Sequence, residues 1–295
     1  MNVRPGFAGR LDPPVGRPFR ILQLTDLHLM DVSGDEAVLA RIGDLVAFAK
    51  PDLVFLTGDQ AMSASSRVVY ARLSDAMDAL GVPWTFVFGN HDAEHGVSRK
   101  ALFDIAARAK NIRVAAVDGE RGETDFYLEV GSRWIVFGLD TRVDATYAID
   151  GKPTWGYDGV RPHQVKWFED VLEAAGTAVG SVVFQHIPPV AARRFHEPGS
   201  TRFHGERNEN VSCTPVDFGF EEALVRRRTV AVFYGHDHVN DFAFERDGVE
   251  YAFGRCTGDY DYCAPVLPKG GRIVDLHEDG SVDTFILQHR DAASR

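Results

Sequence analysis

The chain has 295 residues, of which 44% are hydrophobic and 25% are charged, as expected for a folded protein with a sizeable core. Its formal net charge of −11 argues against broad binding to nucleic acid or to anionic membranes. No apolar secretory signal is seen in residues 1–20, and no segment is apolar over the length of a membrane span. A cytoplasmic location is therefore expected.

The first half of the chain alternates short apolar strands with amphipathic helices. Strands are predicted at 19–25, 52–57 and 84–88, and helices at 36–50 and 66–80. This β-α-β-α-β order is typical of parallel strands joined by crossover helices in an α/β fold. Residues 1–18, rich in Gly, Pro and Arg, are expected to form a flexible N-terminal arm before a single catalytic domain at 19–290.

The second half mixes strands, hairpins and helices. Helices are predicted at 98–109, 161–175 and 218–228, strands at 181–185 and 229–234, and hairpins turning at 131–132, 247–248 and 279–280. Residues 140–159 are expected to form a long surface loop. Residues 190–215 show no periodicity, which is typical of a functional lid or a disordered insert.

Residues able to bind a cation follow five of the predicted strands. They are Asp26, His28, Asp59, Asn90, His186, His236 and His238. In parallel sheets, ligands gather outside the carboxyl ends of the strands. Each residue taken alone has an ordinary structural explanation, such as a helix cap for Asp26 or a turn for Asp59. Their recurrence at successive strand ends favours a metal site.

The donor set predicts the class of metal and its chemistry. Three oxygen and four nitrogen donors suit Mn, Fe, Zn or Co better than Ca or Mg alone. Seven donors are too many for one tetrahedral ion and suit two divalent or mixed-valence ions that share a carboxylate. Such a pair clamps a phosphate and lowers the pKa of a bridging water. His91, next to Asn90, is then available as a general acid.

Together these blocks resemble a known family. Asp26-x-His28, Gly58-Asp59, Gly89-Asn90-His91-Asp92, His186 and Gly235-x-x-His238 resemble the motifs of the calcineurin-like metallophosphoesterases over residues 19–277. The resemblance implies an α/β fold with two facing mixed β-sheets flanked by helices, a four-layer αββα sandwich.

The resemblance also implies a role for each matching residue. Asp26, His28 and His238 would hold one metal ion. Asn90, His186 and His236 would hold the other, with Asp59 bridging the two. His91 and Asn90 would contact the substrate phosphate, and His91 and Asp59 would be the catalytic residues.

A narrower resemblance concerns residues 21–28 and 235–242, which are similar to the single-domain, purple-acid-phosphatase-like phosphatases of fungi and plants. True purple acid phosphatases carry a Tyr three residues after the bridging Asp. Met62 occupies that position here, so an Fe(III)-tyrosinate site is not expected, and the metal pair is left open.

The predicted function is hydrolysis of a small-molecule phosphate ester, most simply a monoester, with a metal-bridging hydroxide as nucleophile. A phosphodiesterase of the cyclic-nucleotide type is the alternative, because both reactions use the same pair of metal ions to bind the phosphate. A non-catalytic binding scaffold is a further alternative. Asp92 and Asp237 are expected to support the ligands, and Trp155-Gly156-Tyr157 to cap the core rather than stack on a base.

Overall fold

The elements of the chain are mainly strands, and the computed structural model describes residues 5–115, 124–176, 179–260, 262 and 266–293. The strands are β1 (Phe7–Leu11), β2 (Phe19–Leu24), β3 (Leu53–Thr57), β4 (Trp84–Val87), β5 (Phe126–Val130), β6 (Trp134–Gly138), β7 (Asp144–Ile149), β8 (Lys152–Tyr157), β9 (Gly180–Phe184), β10 (Ser200–His204), β11 (Ala231–Tyr234), β12 (Ala243–Arg246), β13 (Val249–Phe253), β14 (Gly270–Leu276) and β15 (Val282–Gln288). The helices are α1 (Asp35–Ala49), α2 (Ser66–Ala79), α3 (Arg99–Ala106), α4 (Pro162–Ala175), α5 (Phe220–Arg226) and α6 (His289–Ala293).

The strands form two large mixed sheets and a separate β7–β8 hairpin. The five-stranded sheet has the order β15-β14-β2-β3-β4, and the eight-stranded sheet has the order β1-β5-β6-β9-β11-β13-β12-β10. Strands β2, β3 and β4 are parallel, and so are β6, β9, β11 and β13. The carboxyl ends of these strands therefore lie at one edge of each sheet, where ligands commonly bind.

Apolar side chains fill the space between the sheets and on both outer faces. Between the sheets, Phe55 of β3 stacks on Phe184 of β9 with ring centroids 4.3 Å apart. A second core lies between the five-stranded sheet and helices α1 to α3, and a third between the eight-stranded sheet and helices α4 and α5. The predicted αββα order of layers is confirmed.

Strand β3 shows why the sequence produces these layers. Leu53 and Phe55 point into the core between the sheets, whereas Val54 and Leu56 face the helices. Successive side chains of a strand alternate between faces, so a strand covered on both sides is a continuous apolar segment. Each such side chain contributes about 1.5–3 kcal/mol when fully buried.

The N-terminal segment is not a free arm, and that part of the prediction is wrong. Phe7–Leu11 forms β1, which pairs in parallel with β5 at one edge of the eight-stranded sheet. Trp167 Nε1–H donates to the carbonyl oxygen of Pro5 at 3.1 Å, and the N–H of Tyr127 donates to that of Gly6 at 2.8 Å. The segment lacks an apolar alternation, so only tertiary pairing reveals the strand. The single domain at 19–290 stays a prediction.

Two segments predicted to be irregular contain strands. Residues 140–159 include the β7–β8 hairpin, so the expectation of a loop there is wrong. Residues 190–215 include a 3-10 helix at Val190–Arg194 and strand β10, which pairs with β12. Both strands of the hairpin are largely exposed and need no apolar face. Their sequences therefore lack the alternation of apolar and polar residues that predicts a strand.

The hairpins predicted to turn at 131–132, 247–248 and 279–280 are confirmed as β5–β6, β12–β13 and β14–β15. Among the described residues, no helix combines the length and hydropathy needed to cross a membrane.

Candidate metal centre

The seven predicted donors lie at the edge where the carboxyl ends of both sheets meet. Asp26 and His28 follow β2, Asp59 follows β3, Asn90 follows β4, His186 follows β9, and His236 and His238 follow β11. The sheets are in direct contact here, since Gln23 Nε2–H of β2 donates to the carbonyl oxygen of Tyr234 of β11 at 3.2 Å. All seven side chains are buried in this one region.

Four of the donors have left-handed backbone conformations: φ is 53° at Asp26, 47° at His28, 54° at Asp59 and 78° at His236. Non-glycine residues in such conformations cost about 1–3 kcal/mol each and cluster at functional sites. Cross-loop hydrogen bonds stabilise the turns, because the N–H of Asp26 donates to Gly58 O at 3.1 Å and that of His28 to Asp59 O at 2.9 Å.

Two glycines leave the space that donor side chains occupy. A Cβ atom at Gly58 would lie 2.3 Å from His186 Nδ1, and one at Gly89 would lie 2.1 Å from Asp59 Oδ1. Both distances are shorter than any real carbon contact. The glycines of the Gly58-Asp59 and Gly89-Asn90 motifs therefore allow the donors to approach one another.

Asp26, His28 and His238 form one group of donors, called cluster A. One ligand atom of each lies within 4.8 Å of the others. His238 Nε2 lies 3.5 Å from Asp26 Oδ1, and the rings of His28 and His238 have centroids 4.7 Å apart. This spacing is compatible with three protein ligands on a single ion.

Asp59, His186 and His236 form the second group, called cluster B, with ligand atoms that also lie within 4.8 Å of one another. The Asn90 Oδ1 atom lies 3.1 Å from His186 Nε2 and adds an oxygen donor. Asp59 Oδ2 is 3.2 Å from His186 Nε2 and 3.2 Å from His28 Nε2 of cluster A. Asp59 therefore lies between the two clusters.

Backbone carbonyl groups orient two of the imidazoles. His28 Nδ1 lies 3.0 Å from the carbonyl oxygen of Tyr260, and His186 Nδ1 lies 2.8 Å from that of Thr57. Because a carbonyl oxygen only accepts, each Nδ1 carries the hydrogen and each Nε2 is directed toward Asp59. This arrangement is typical of histidines that bind a metal through Nε2.

Burial and close approach shift the pKa values of these groups. Burial raises the pKa of Asp26, but the hydrogen bond and charge of His238 outweigh it and lower that pKa to about 2. Burial lowers the pKa values of His28 and His186, yet the adjoining Asp59 carboxylate raises both to about 9. The ionised Asp59 carboxylate thus lies against two protonated imidazoles, and a metal cation replaces such protons when it binds.

Two imidazole nitrogens provide a test of whether the residues fit a metal. Nε2 of His236 and Nδ1 of His238 are buried and have no hydrogen-bond partner among the described residues. Burial, reinforced by the nearby His186, lowers the pKa of His236 to about 3, so its ring is neutral and has a free lone pair. A buried polar atom without a partner costs about 1–3 kcal/mol. Coordination of an ion by His236 offsets that cost at its Nε2, and the donor set fits a metal.

His91 lies beside the clusters but is more exposed, with 35% of its side chain accessible. Its N–H donates to Asp59 Oδ1 at 2.8 Å, and its ring centroid is 5.5 Å from that of His28. Its Nδ1 lies 2.8 Å from Glu94 Oε1. The Glu94 carboxylate therefore engages Nδ1, which leaves Nε2 as the nitrogen for contact with a substrate.

Asp92 supports the centre without joining either cluster, as the sequence predicts. Its Oδ2 accepts the N–H of Asp59 at 3.0 Å and that of Gly89 at 2.8 Å, while its Oδ1 accepts the N–H of Ala61 at 2.9 Å. Burial and the nearby Asp59 raise the pKa of Asp92 to about 6.

Asp237 also has the supporting role that the sequence predicts. It accepts the N–H of Ser212 at 3.2 Å, which ties the 190–215 segment to the His236–His238 loop. Glu209 strengthens this link, since its Oε1 accepts the N–H of Val239 at 3.0 Å and its Oε2 accepts the Tyr262 hydroxyl at 2.7 Å.

Sequence reasoning missed Glu94, Tyr157, Glu209 and Tyr262 as neighbours of the candidate donors. The i to i+3 spacing of His91 and Glu94 is the one local signal that could have indicated a contact. The others come from distant segments, and only the folded arrangement brings them to the site.

The fold and this arrangement define a class of protein. The family model described as calcineurin-like phosphoesterase matches residues 19–240. The chain therefore belongs to the calcineurin-like phosphoesterase family, and the protein is a phosphoesterase.

The chain is similar to plant, cyanobacterial and animal proteins. It is 25% identical to the probable inactive purple acid phosphatase 28 of Arabidopsis thaliana, over 90% of this chain and 77% of that protein. It is 26% identical to a probable cyclic nucleotide phosphodiesterase of Synechococcus, over 88% of this chain and 89% of that protein. A dimetal phosphatase from Danio rerio shares the fold, with a TM-score of 0.64, 14% identity and coverage of 92% of this chain and 97% of that chain. The resemblance to purple-acid-phosphatase-like proteins is confirmed.

Proposed function

We propose that the protein hydrolyses phosphate monoesters at a dinuclear metal centre. Asp26, His28 and His238 would hold one ion, and His186 and His236 would hold the other together with Asn90. Asp59, which lies between the clusters, would be a ligand to both. The observation that carries the proposal is the position of Asp59 Oδ2, which lies 3.2 Å from a histidine of each cluster.

The donors suit Mn, Fe, Zn or Co, because imidazole and carboxylate ligands occur together. When bound, a pair of such ions supplies Lewis acidity toward the phosphoryl oxygens and lowers the pKa of water so that hydroxide is the nucleophile at neutral pH. The protein provides ligands with restricted orientation, since Tyr260 and Thr57 carbonyls hold the rings of His28 and His186.

His91 and Asn90 act on the substrate. With Nδ1 of His91 held by Glu94, Nε2 contacts the scissile phosphate and holds a proton for the departing alcohol oxygen. The Asn90 amide group donates to a phosphoryl oxygen, while its Oδ1 faces cluster B. A small-molecule ester fits this arrangement, since only the phosphate needs to reach the buried donors.

The test replaces either Asp59, between the clusters, or His236 of cluster B, and measures the metal content and the turnover of each variant. Asp59→Ala and His236→Ala should lose bound metal, by elemental analysis, and lose at least about 100-fold in kcat/KM on p-nitrophenyl phosphate. Asp170→Ala, on the exposed face of α4, is the control and should retain both. Full activity of Asp59→Ala would contradict the mechanism, and absence of metal uptake by the wild-type chain would favour a non-catalytic scaffold.

A phosphodiesterase is the second candidate, and the similarity to the cyanobacterial protein named a probable cyclic nucleotide phosphodiesterase favours it. The two activities need the same donors and differ in whether the site accommodates a second ester arm. Comparison of kcat/KM for p-nitrophenyl phosphate and bis(p-nitrophenyl) phosphate separates them. Faster turnover of the bis-ester would favour the diesterase.

A further inference from the structure

The β7–β8 hairpin places two aromatic rings beside cluster B. Tyr157 contacts His236 with ring centroids 4.3 Å apart and an interplanar angle of 84°. Trp155 contacts Tyr157 in turn, at 5.3 Å and 60°. Residues 155 and 157 lie on the same face of strand β8, because side chains alternate along a strand. The two rings therefore extend from the candidate metal centre toward solvent.

The outer ring of this pair does not cap the core, and the prediction that it does is wrong for Trp155. Trp155 is 61% exposed, whereas Trp84, Trp134 and Trp167 are at most 8% exposed. A Trp side chain that stays exposed to water does not gain the large favourable free energy of burying its ring. An exposed indole next to a buried catalytic region is therefore a candidate for contact with a ligand.

Hydrogen bonds within the hairpin fix its two strands, and Tyr147 contacts the rest of the fold through Phe218, with ring centroids 6.2 Å apart. The hydroxyl of Tyr147 donates to the carbonyl oxygen of Tyr157 at 3.0 Å and lies 3.1 Å from Asp158 Oδ1. Trp155 Nε1–H donates to Asp144 Oδ2 at 2.6 Å across the hairpin. The two rings are thus oriented before any ligand arrives, which reduces the entropy lost on binding.

On the basis of the proposed phosphoesterase activity, we propose that Trp155 and Tyr157 form a subsite for a planar aromatic or heteroaromatic group on the alcohol part of the substrate. In this proposal, the alcohol of a phosphate ester bound at clusters A and B extends outward past His236. On that side the rings of Tyr157 and Trp155 follow in order. Planar rings stack on aromatic side chains with little dependence on their substituents. This chemistry selects aryl or nucleoside phosphates over aliphatic ones.

The first experiment compares two esters with the same type of leaving hydroxyl. Adenosine 5′-monophosphate and ribose 5-phosphate both release a primary sugar hydroxyl and differ in the base. Wild-type, metal-loaded protein should prefer the nucleotide by about tenfold in kcat/KM, and Trp155→Ala should remove that preference through KM. Turnover of ribose 5-phosphate should be unchanged by the substitution.

Matched variants separate stacking from a general effect on folding. Trp155→Phe should keep most of the preference, because it retains an aromatic face. Phe285→Ala removes another exposed aromatic ring, on β15, and should leave both rates unchanged. Equal rates for the two esters in the wild type, or an equal loss on both in Trp155→Ala, would overturn the proposal.

A binding measurement tests the subsite without turnover. Adenosine, which has no phosphate ester to hydrolyse, should quench the tryptophan fluorescence of the metal-loaded protein saturably, and ribose should not. Trp155→Phe should abolish the quenching, because the other three tryptophans are buried. Quenching without hydrolysis of any ester would refute the proposed function and support the subsite. Hydrolysis of both esters at equal rates, without quenching, would support the proposed function and refute the subsite.

Discussion

Asp59 depends on its neighbours for its orientation. Its Oδ1 accepts the N–H of His91, its Oδ2 faces His28 and His186, and its own N–H donates to Asp92. The left-handed backbone at Asp59 makes this orientation unfavourable without those contacts. His91 and Asp92, which belong to neither cluster, therefore help to hold Asp59 in the orientation that the proposed bridging role needs.

Asp92→Asn should weaken metal binding about 10–100-fold, because the amide retains one acceptor oxygen for the three N–H groups that the carboxylate now accepts. Competition with a chelator of known affinity measures the change. Asp78→Asn, which also removes a carboxylate that accepts backbone N–H groups, is remote from the donors and serves as control. Equal metal affinity for wild type and Asp92→Asn would show that Asp92 is not needed to position Asp59.

Gly58→Ala should reduce both metal content and stability, since the new Cβ would overlap the ring of His186. We expect a loss of about 2–4 kcal/mol in the free energy of unfolding, from strain at positive φ together with the displaced ring. Gly81→Ala is the matched control, because its φ is also positive, at 71°, and no described atom lies within 4 Å of the added Cβ. That variant should lose about 1 kcal/mol and keep its metal. Denaturant unfolding and elemental analysis distinguish the two, and similar losses in both would refute the steric argument.

At the scale of elements, Asp78 near the end of α2 holds the segment that follows α3. Its carboxylate accepts the N–H of Lys110 at 2.7 Å, that of Asn111 at 3.0 Å and Nε1–H of Trp84 at 3.3 Å. Burial raises the pKa of Asp78, but these hydrogen bonds outweigh it and lower the pKa below 3.8. Because the folded pKa is depressed, this stabilisation is present above the unfolded pKa and is lost as the pH falls through the folded pKa.

Asp78→Asn should therefore lower stability at neutral pH and have little effect in acid. Asp78 is partly buried and solvent screens its charge, so we expect a difference of about 0.5–1 kcal/mol at pH 7 that is smaller at pH 3. Urea unfolding of both proteins at the two pH values measures it. Asp104→Asn, which removes an exposed partner of Lys100, should show no comparable change. A difference independent of pH would mean that the carboxylate charge is not the cause.

Elements buried on both faces could be predicted from the sequence, and exposed or edge elements could not. Strand β3 is a continuous apolar segment because it is covered on two sides. Strands β1, β7 and β8 form through pairing with another strand, and most of their residues are half-buried or exposed, so their sequences show no clear alternation. The donor residues were predictable because the chemistry depends on their type and on strand ends. Tyr157 was not, because its place beside His236 depends on how a remote hairpin packs.

At the scale of the whole molecule, the N-terminal segment completes one edge of the eight-stranded sheet. Deletion of residues 1–11 should remove β1 and lower the free energy of unfolding by about 2–4 kcal/mol, through lost strand pairing and packing. Thermal unfolding measures the change, and metal content should persist because β1 contributes no donor. Arg10→Ala, which removes only the exposed ion pair with Glu129, should cost much less than the deletion. Unchanged stability after the deletion would show that β1 is dispensable.

Each cluster draws its donors from both sheets: Asp26 and His28 join His238, and Asp59 joins His186 and His236. The N–H of His236 also donates to the Asp26 carboxylate, across 210 positions of the chain. Contacts between residues so far apart in the sequence form late in folding. During synthesis, no tight metal site exists until residue 238 has emerged and the two sheets have docked. Metal uptake is then linked to correct docking, and a bound pair would selectively stabilise chains that have assembled both halves.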